Sequence, residues 1–173
     1  MVRNTLKTDL LLDGFQAIMK PSKFGYSLAG LLDADTWKEV LDKDREVSLS
    51  WCRSHLKNPK KSCLKPEPYV EAGENRLKVK FAWNDETKPY IMDTECVPIT
   101  DLDLPLYSGC KVSIAFYQKP YILRDGITYG TTLKQIGIQV LEVHHMETAG
   151  GYTAFEDVAK LFGKRDGFKL SSY

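Results

Sequence analysis

An excess of charge of one sign is missing from this chain: 24 Lys and Arg stand against 23 Asp and Glu in 173 residues. No global field draws in an anionic partner, so any affinity for nucleic acid has to come from local clustering. The nucleophile elbow G-x-S-x-G, the phosphate loop G-x-x-x-x-G-K-[ST] and the dinucleotide fingerprint G-x-G-x-x-G are also absent. Their absence removes the commonest enzyme classes. No apolar run is long enough to cross a membrane and no secretory signal is visible, which together with the unpaired spacing of Cys52, Cys63, Cys96 and Cys110 points to a reducing, cytosolic-type compartment. Cys52-x-x-His55 followed by Cys63 and Cys96 matches zinc spacing poorly, because the second half lacks its own close pair. Cys52 and Cys96 are expected to be buried small apolar residues, and neither metal nor cofactor is expected. His144 and His145 are adjacent at a strand end and point to opposite faces, so they share no ion.

What is present is the material of one β-rich domain. A chain of this length buries about 70% of its unfolded surface and needs no disulfide or metal to hold a core. Residues 10–21 are apolar, with a glycine inside and a proline near the end, which predicts a bent strand; residues 24–32 predict a second. Thr36-Trp37-Lys38-Glu39 has the form of a capping box, and Trp37, Val40, Leu41, Val47 and Trp51 supply a helical stripe, interrupted between Asp42 and Glu46 and stopped at Asn58-Pro59. The connector after the helix carries Lys57, Lys60, Lys61 and Lys65 among prolines, either as a solvated loop or as the flank of a nucleic-acid groove.

From residue 77 the alternation is clean. Leu77, Val79, Phe81 and Trp83 take one face and Lys78, Lys80 and Ala82 the other, a half-buried strand with a cationic outer side. Residues 84–87 read as a turn into a short strand at 88–93, forming a hairpin. In the strand that begins near Tyr107, Cys110, Val112, Ile114 and Phe116 point inward and Lys111, Ser113, Ala115 and Tyr117 outward; a Gly-punctuated loop then leads to a last strand at 133–143. The linker at 149–151 opens a short tail.

Cations and aromatics interleave along this half: Lys78, Lys80, Trp83, Lys88, Tyr90, Lys111, Tyr117, Lys119, Tyr121, Arg124, Tyr129 and Lys134. A single strand of nucleic acid needs both, cations for phosphates and flat rings on which unpaired bases stack, at about 1–3 kcal/mol per base. Two readings stand beside it: a small metal-dependent nuclease using Asp93, Asp101 or Asp103, and an OB-type barrel that binds protein or oligosaccharide.

The order Lys88-Pro89-Tyr90-Ile91-Met92-Asp93, a Pro-containing link, Tyr107-Ser108-Gly109, a strand, Lys119-Pro120-Tyr121, a Gly-rich loop and Ile138-Gln139-Val140 resembles phage-encoded single-stranded DNA-binding proteins of the podovirus replication type. That resemblance implies a mainly β chain, a five-stranded OB-type barrel with a helical insertion between early strands and a flexible C-terminal tail. It divides the chain into a DNA-binding domain at 1–147 and a tail at 148–173. It implies sequence-independent binding that protects or anneals strands in phage replication, recombination and repair, in the cytoplasm of the infected host cell. Partners would be DNA polymerase or helicase-primase and a second copy of the chain. By position in the motif the DNA-binding residues are Lys78, Lys80, Lys111, Tyr117, Lys119, Tyr121 and Arg124, and bases are expected to stack on Trp83, Tyr117, Tyr121 or Tyr129. One departure is plain: such proteins end in an acidic tail closed by an aromatic, whereas here Asp166 faces Lys160, Lys164, Arg165 and Lys169, and only the aromatic Tyr173 is kept.

Overall fold

The computed structural model describes residues 4–143 and 155–172. In chain order the elements are β1 (Leu6–Leu12), β2 (Ala17–Ser22), β3 (Gly25–Asp33), α1 (Ala34–Arg53), β4 (Cys63–Leu64), β5 (Tyr69–Glu71), β6 (Arg76–Trp83), β7 (Tyr90–Met92), β8 (Lys111–Ile122), β9 (Thr128–Glu142) and α2 (Phe155–Ala159). Five of the strands carry the barrel, in the antiparallel order β9-β8-β1-β3-β6, and β6 also touches β9. The chain is thus mainly β, with an OB-type barrel and its long helix inserted between the second and third barrel strands.

Alternation sets the core. Leu77, Val79, Phe81 and Trp83 of β6 and Val112, Ile114 and Phe116 of β8 all point inward and are buried, as their period-two spacing predicts. Phe81 meets Phe116 edge-on with centroids 5.6 Å apart, and Tyr26 stacks on Trp83 at 6.0 Å. In place of one bent strand at 10–21 there are two, β1 and β2, parted at residues 13–16, and the break has a specific repair. Gly14 takes a φ of +82°, and the buried Gln16 amide then donates to the Ala29 carbonyl at 2.6 Å and accepts from its N–H at 2.9 Å. A side-chain amide therefore replaces one rung of the ladder and pairs both backbone groups of Ala29 at the bend.

Several local expectations are corrected. The helix cap is Asp33, three residues before Thr36: its carboxylate accepts from the Thr36 N–H at 3.0 Å and the Thr36 hydroxyl at 2.6 Å. The helix runs unbroken to Arg53 and buries Leu41, Ser48, Leu49 and Cys52, while Val40, Val47 and Trp51 face solvent. Ser48 and Cys52 on the packed side are not large apolar residues, so a purely apolar stripe does not reveal this face. The strand at Tyr90–Met92 forms no hairpin with β6; it pairs in parallel with Gly137–Gln139 of β9 and helps close the barrel. β9 begins at Thr128, five residues before the predicted Leu133, so the loop shrinks to residues 123–127. Cys96 is exposed, at a φ of +62°. The proposed domain boundary at 147/148 and the pair His144-His145 lie outside the described residues.

Candidate nucleic-acid interface

β8 and β9 pair from Lys111 to Ile122, and their far half forms an arm against which α1 packs. On the inner side Gln118 donates to the Leu41 carbonyl at 3.2 Å and to Asp44 at 3.0 Å, and it accepts from the Thr131 hydroxyl at 2.7 Å. Leu49, Cys52 and Tyr129 form a second small core there with Leu56 and Ile122. Burial pushes the Cys52 thiol pKa up, in keeping with a packing residue. Because strand side chains alternate, covering the even-numbered face of β8 leaves Tyr117, Lys119 and Tyr121 on the other face.

Their cross-strand neighbours complete the surface. Tyr117 stands opposite Lys134, Lys119 opposite Thr132 and Tyr121 opposite Gly130. A Cβ at position 130 would lie 2.8 Å from the Tyr121 hydroxyl and 2.9 Å from the Lys65 Cβ, so glycine is what lets the ring and Lys65 lie over the strand. β4 brings Lys65 there: it pairs in parallel with the start of β9, and the Lys65 N–H donates to the Tyr129 carbonyl at 2.8 Å. Burial raises the pKa of the Tyr121 phenol, and Arg45 nearby opposes that shift.

The turn at the tip is locally built. Asp125 accepts from the Ile127 and Thr128 N–H groups at 2.9 Å and from the Thr128 hydroxyl at 2.6 Å, bonds that hold its carboxyl below the usual range, the Thr128 hydroxyl foremost. Gly126, at a φ of +75°, accepts from the Lys57 N–H at 2.9 Å and ties the end of the helix to the tip. The connector 57–65, with four lysines and no acid, is thereby fixed beside the exposed Arg124. Among the described residues Lys65, Lys119, Arg124 and Lys134 form no ion pair.

The nine residues expected at the site do not form one surface. Tyr117, Lys119 and Tyr121 share the arm face, with Arg124 at its tip. Lys78 and Lys111 lie in one row across the barrel, through Leu31 and Leu11, with Lys80 one step along. Six residues of extended strand, about 20 Å, separate Lys111 from Tyr117. Lys78 is bound to Asp13 at 3.2 Å and Lys111 faces Glu142 at 3.9 Å. Trp83 and Tyr129 are corrected: each is only 6% exposed, because both occupy inward positions of their strands, and neither offers a ring to a base. Two further rings stand out instead, Phe15 at 69% and Phe24 at 88% exposed, each next to a glycine, with the Lys23 ammonium 5.1 Å from the Phe24 ring centroid.

The acids of the nuclease reading have structural tasks. Asp93 accepts from the Glu95 and Val97 N–H groups, Asp101 from the Asp103 N–H, and Asp103 holds Lys20 at 2.6 Å. Among the described residues no three metal-ligating side chains converge.

Neither a protein-family model nor a curated protein matches the sequence. Solved structures do match its fold. The single-stranded DNA-binding protein gp2.5 encoded by bacteriophage T7 superposes with a TM-score of 0.56 at 13% identity, covering 98% of this chain and 100% of that one. The single-stranded DNA-binding protein of bacteriophage Enc34 gives a TM-score of 0.57 at 17% identity over 89% of each chain. The same Enc34 protein in complex with single-stranded DNA matches with a TM-score of 0.56 over 82% of this chain and 88% of that one. Over nearly its whole length, the chain has the fold of these phage single-stranded DNA-binding proteins.

Proposed function

We propose that this chain binds single-stranded DNA independently of sequence, on the outer face of the β8–β9 arm. The observation that carries the reading is the alternation Tyr117, Lys119, Tyr121 on one strand, flanked by Lys134 and Lys65 on its neighbours and held by a continuous ladder. The two rings stand four residues apart on the strand, about 13 Å, with the Lys119 cation midway between them. No base edge is read in such an arrangement, so affinity is tolerant of sequence. The fold shared with the Enc34 protein, which has been crystallised with single-stranded DNA, supports the same reading. The chain binds the strand without cleaving it, and its role is to protect or anneal strands in phage replication, recombination and repair, in the cytoplasm of the infected cell. DNA polymerase or helicase-primase would meet it there.

Titration of end-labelled oligo-dT, followed by fluorescence polarization at several salt concentrations, tests the proposal. Four phosphate contacts, from Lys65, Lys119, Arg124 and Lys134, predict a log–log slope of about −3, at about 0.7 per contact. Absence of binding at low salt would remove the reading. Labelled strands cut in the presence of magnesium or manganese would return the nuclease.

A further inference from the structure

The C-terminal segment carries charged and aromatic residues that the arm does not use. We infer that residues 160–170 form a second contact for the same single strand, an inference that rests on the proposed function. Lys160 is paired with Asp157 at 3.8 Å, and beyond it Lys164, Arg165 and Lys169 stand against Asp166. Phe162 is 78% exposed, Leu161 and Leu170 are exposed as well, and Phe168 adjoins Lys169. Large apolar side chains this exposed call for a partner, and the charge balance makes that partner an anion.

Two anionic surfaces offer apolar area, a single strand with its bases and a membrane with its acyl chains. The membrane requires a continuous helix with one apolar side, whereas α2 spans only Phe155–Ala159, and Gly163 and Gly167, at φ +73° and +147°, interrupt the residues beyond it. Aromatic residues beside cations in a non-helical segment suit alternating bases and phosphates instead. The segment is also within range. Residues 144–154 span at most about 40 Å, and the eight residues from Glu142 back to Lys134 along β9 cover about 27 Å. A tethered second contact of this kind acts at millimolar effective concentration, so weak contacts add to the affinity of the arm.

The test uses the full chain with oligo-dT of about 16 nucleotides or more, long enough to reach both elements. Wild type is compared with K164Q/R165Q/K169Q, with F162A and with the arm variant K119A/K134A, each checked for an unchanged thermal melt. The triple variant is expected to flatten the log–log salt slope by about 2 and F162A to weaken low-salt binding by about fivefold or more. Unchanged slope and affinity in the triple variant and in F162A, with weakened binding in the arm variant, would overturn this inference and leave the proposed function standing. A wild type that fails to bind at all would overturn both. Phosphatidylserine-containing vesicles serve as the second probe: loss of vesicle binding in the triple variant with DNA binding intact would assign the segment to a membrane surface.

Discussion

Residue by residue, the arm separates side chains that contact DNA from side chains that hold the barrel. Lys119 and Lys134 lie on the outer face, and replacing both with alanine should weaken oligo-dT binding and reduce the salt slope by about 1.4, with the melt unchanged. Trp83 gives the opposite pattern. It stacks on Tyr26 within the core, so Trp83→Ala should lower unfolding free energy by about 3–5 kcal/mol in a denaturant titration, while the folded fraction binds with unaltered affinity. Gly130 lies between these cases. Gly130→Ala would drive a methyl group into Tyr121 and Lys65, and the displaced ring should weaken binding more than it lowers stability, read by polarization and thermal melting on one sample.

Whole elements depend on a few local devices. Asp33 caps α1, and Asp33→Ala should destabilise the fold by about 1 kcal/mol, measured by chemical denaturation. Asp125 fastens the tip of the arm through a carboxylate whose pKa is held down by its hydrogen bonds. A depressed folded pKa means its contribution is complete above the unfolded value of about 3.9 and is lost as pH falls through the lower folded value. Hydrogen exchange at the Ile127 and Thr128 amides should therefore lose protection, relative to the strand interior, only below about pH 4, and Asp125→Ala should abolish it at neutral pH.

The elements differ in how far the sequence discloses them. Alternation in 77–83 and 110–116 is a direct record of one buried face, and both strands sit in the structure as that record implies. The start of β9 left no such record: Thr128, Gly130, Thr131 and Thr132 look like a loop, and only pairing with β8 and burial of Tyr129 beneath α1 make them a strand. The cap at Asp33 was masked by a plausible capping box three residues later. β7 was placed by long-range pairing to β9, which no local signal encodes. For the site, composition showed that cations and rings were present but not which were buried. For Trp83 the alternation of 77–83 already put the ring on the apolar face, against its place among the stacking rings, whereas Tyr129 fell in a stretch that reads as loop, where no phase is visible.

Across the whole molecule, a nearly neutral chain places lysines at 57–65 and on the arm, against one helix-backed hairpin. Net charge is uninformative about a site built this way; placement decides it. The resemblance read from the motif order and the fold shared with the T7 and Enc34 proteins point the same way, although the binding residues expected from the motifs divide between two patches about 20 Å apart along β8. The central claim is that the arm face takes the strand. Ultraviolet crosslinking of oligonucleotides carrying 5-iodouracil, with the adducts mapped by mass spectrometry on the intact chain, tests it most directly. Adducts are expected at Tyr117 and Tyr121; adducts confined to Phe15 and Phe24, with none on β8, would put the strand on another face.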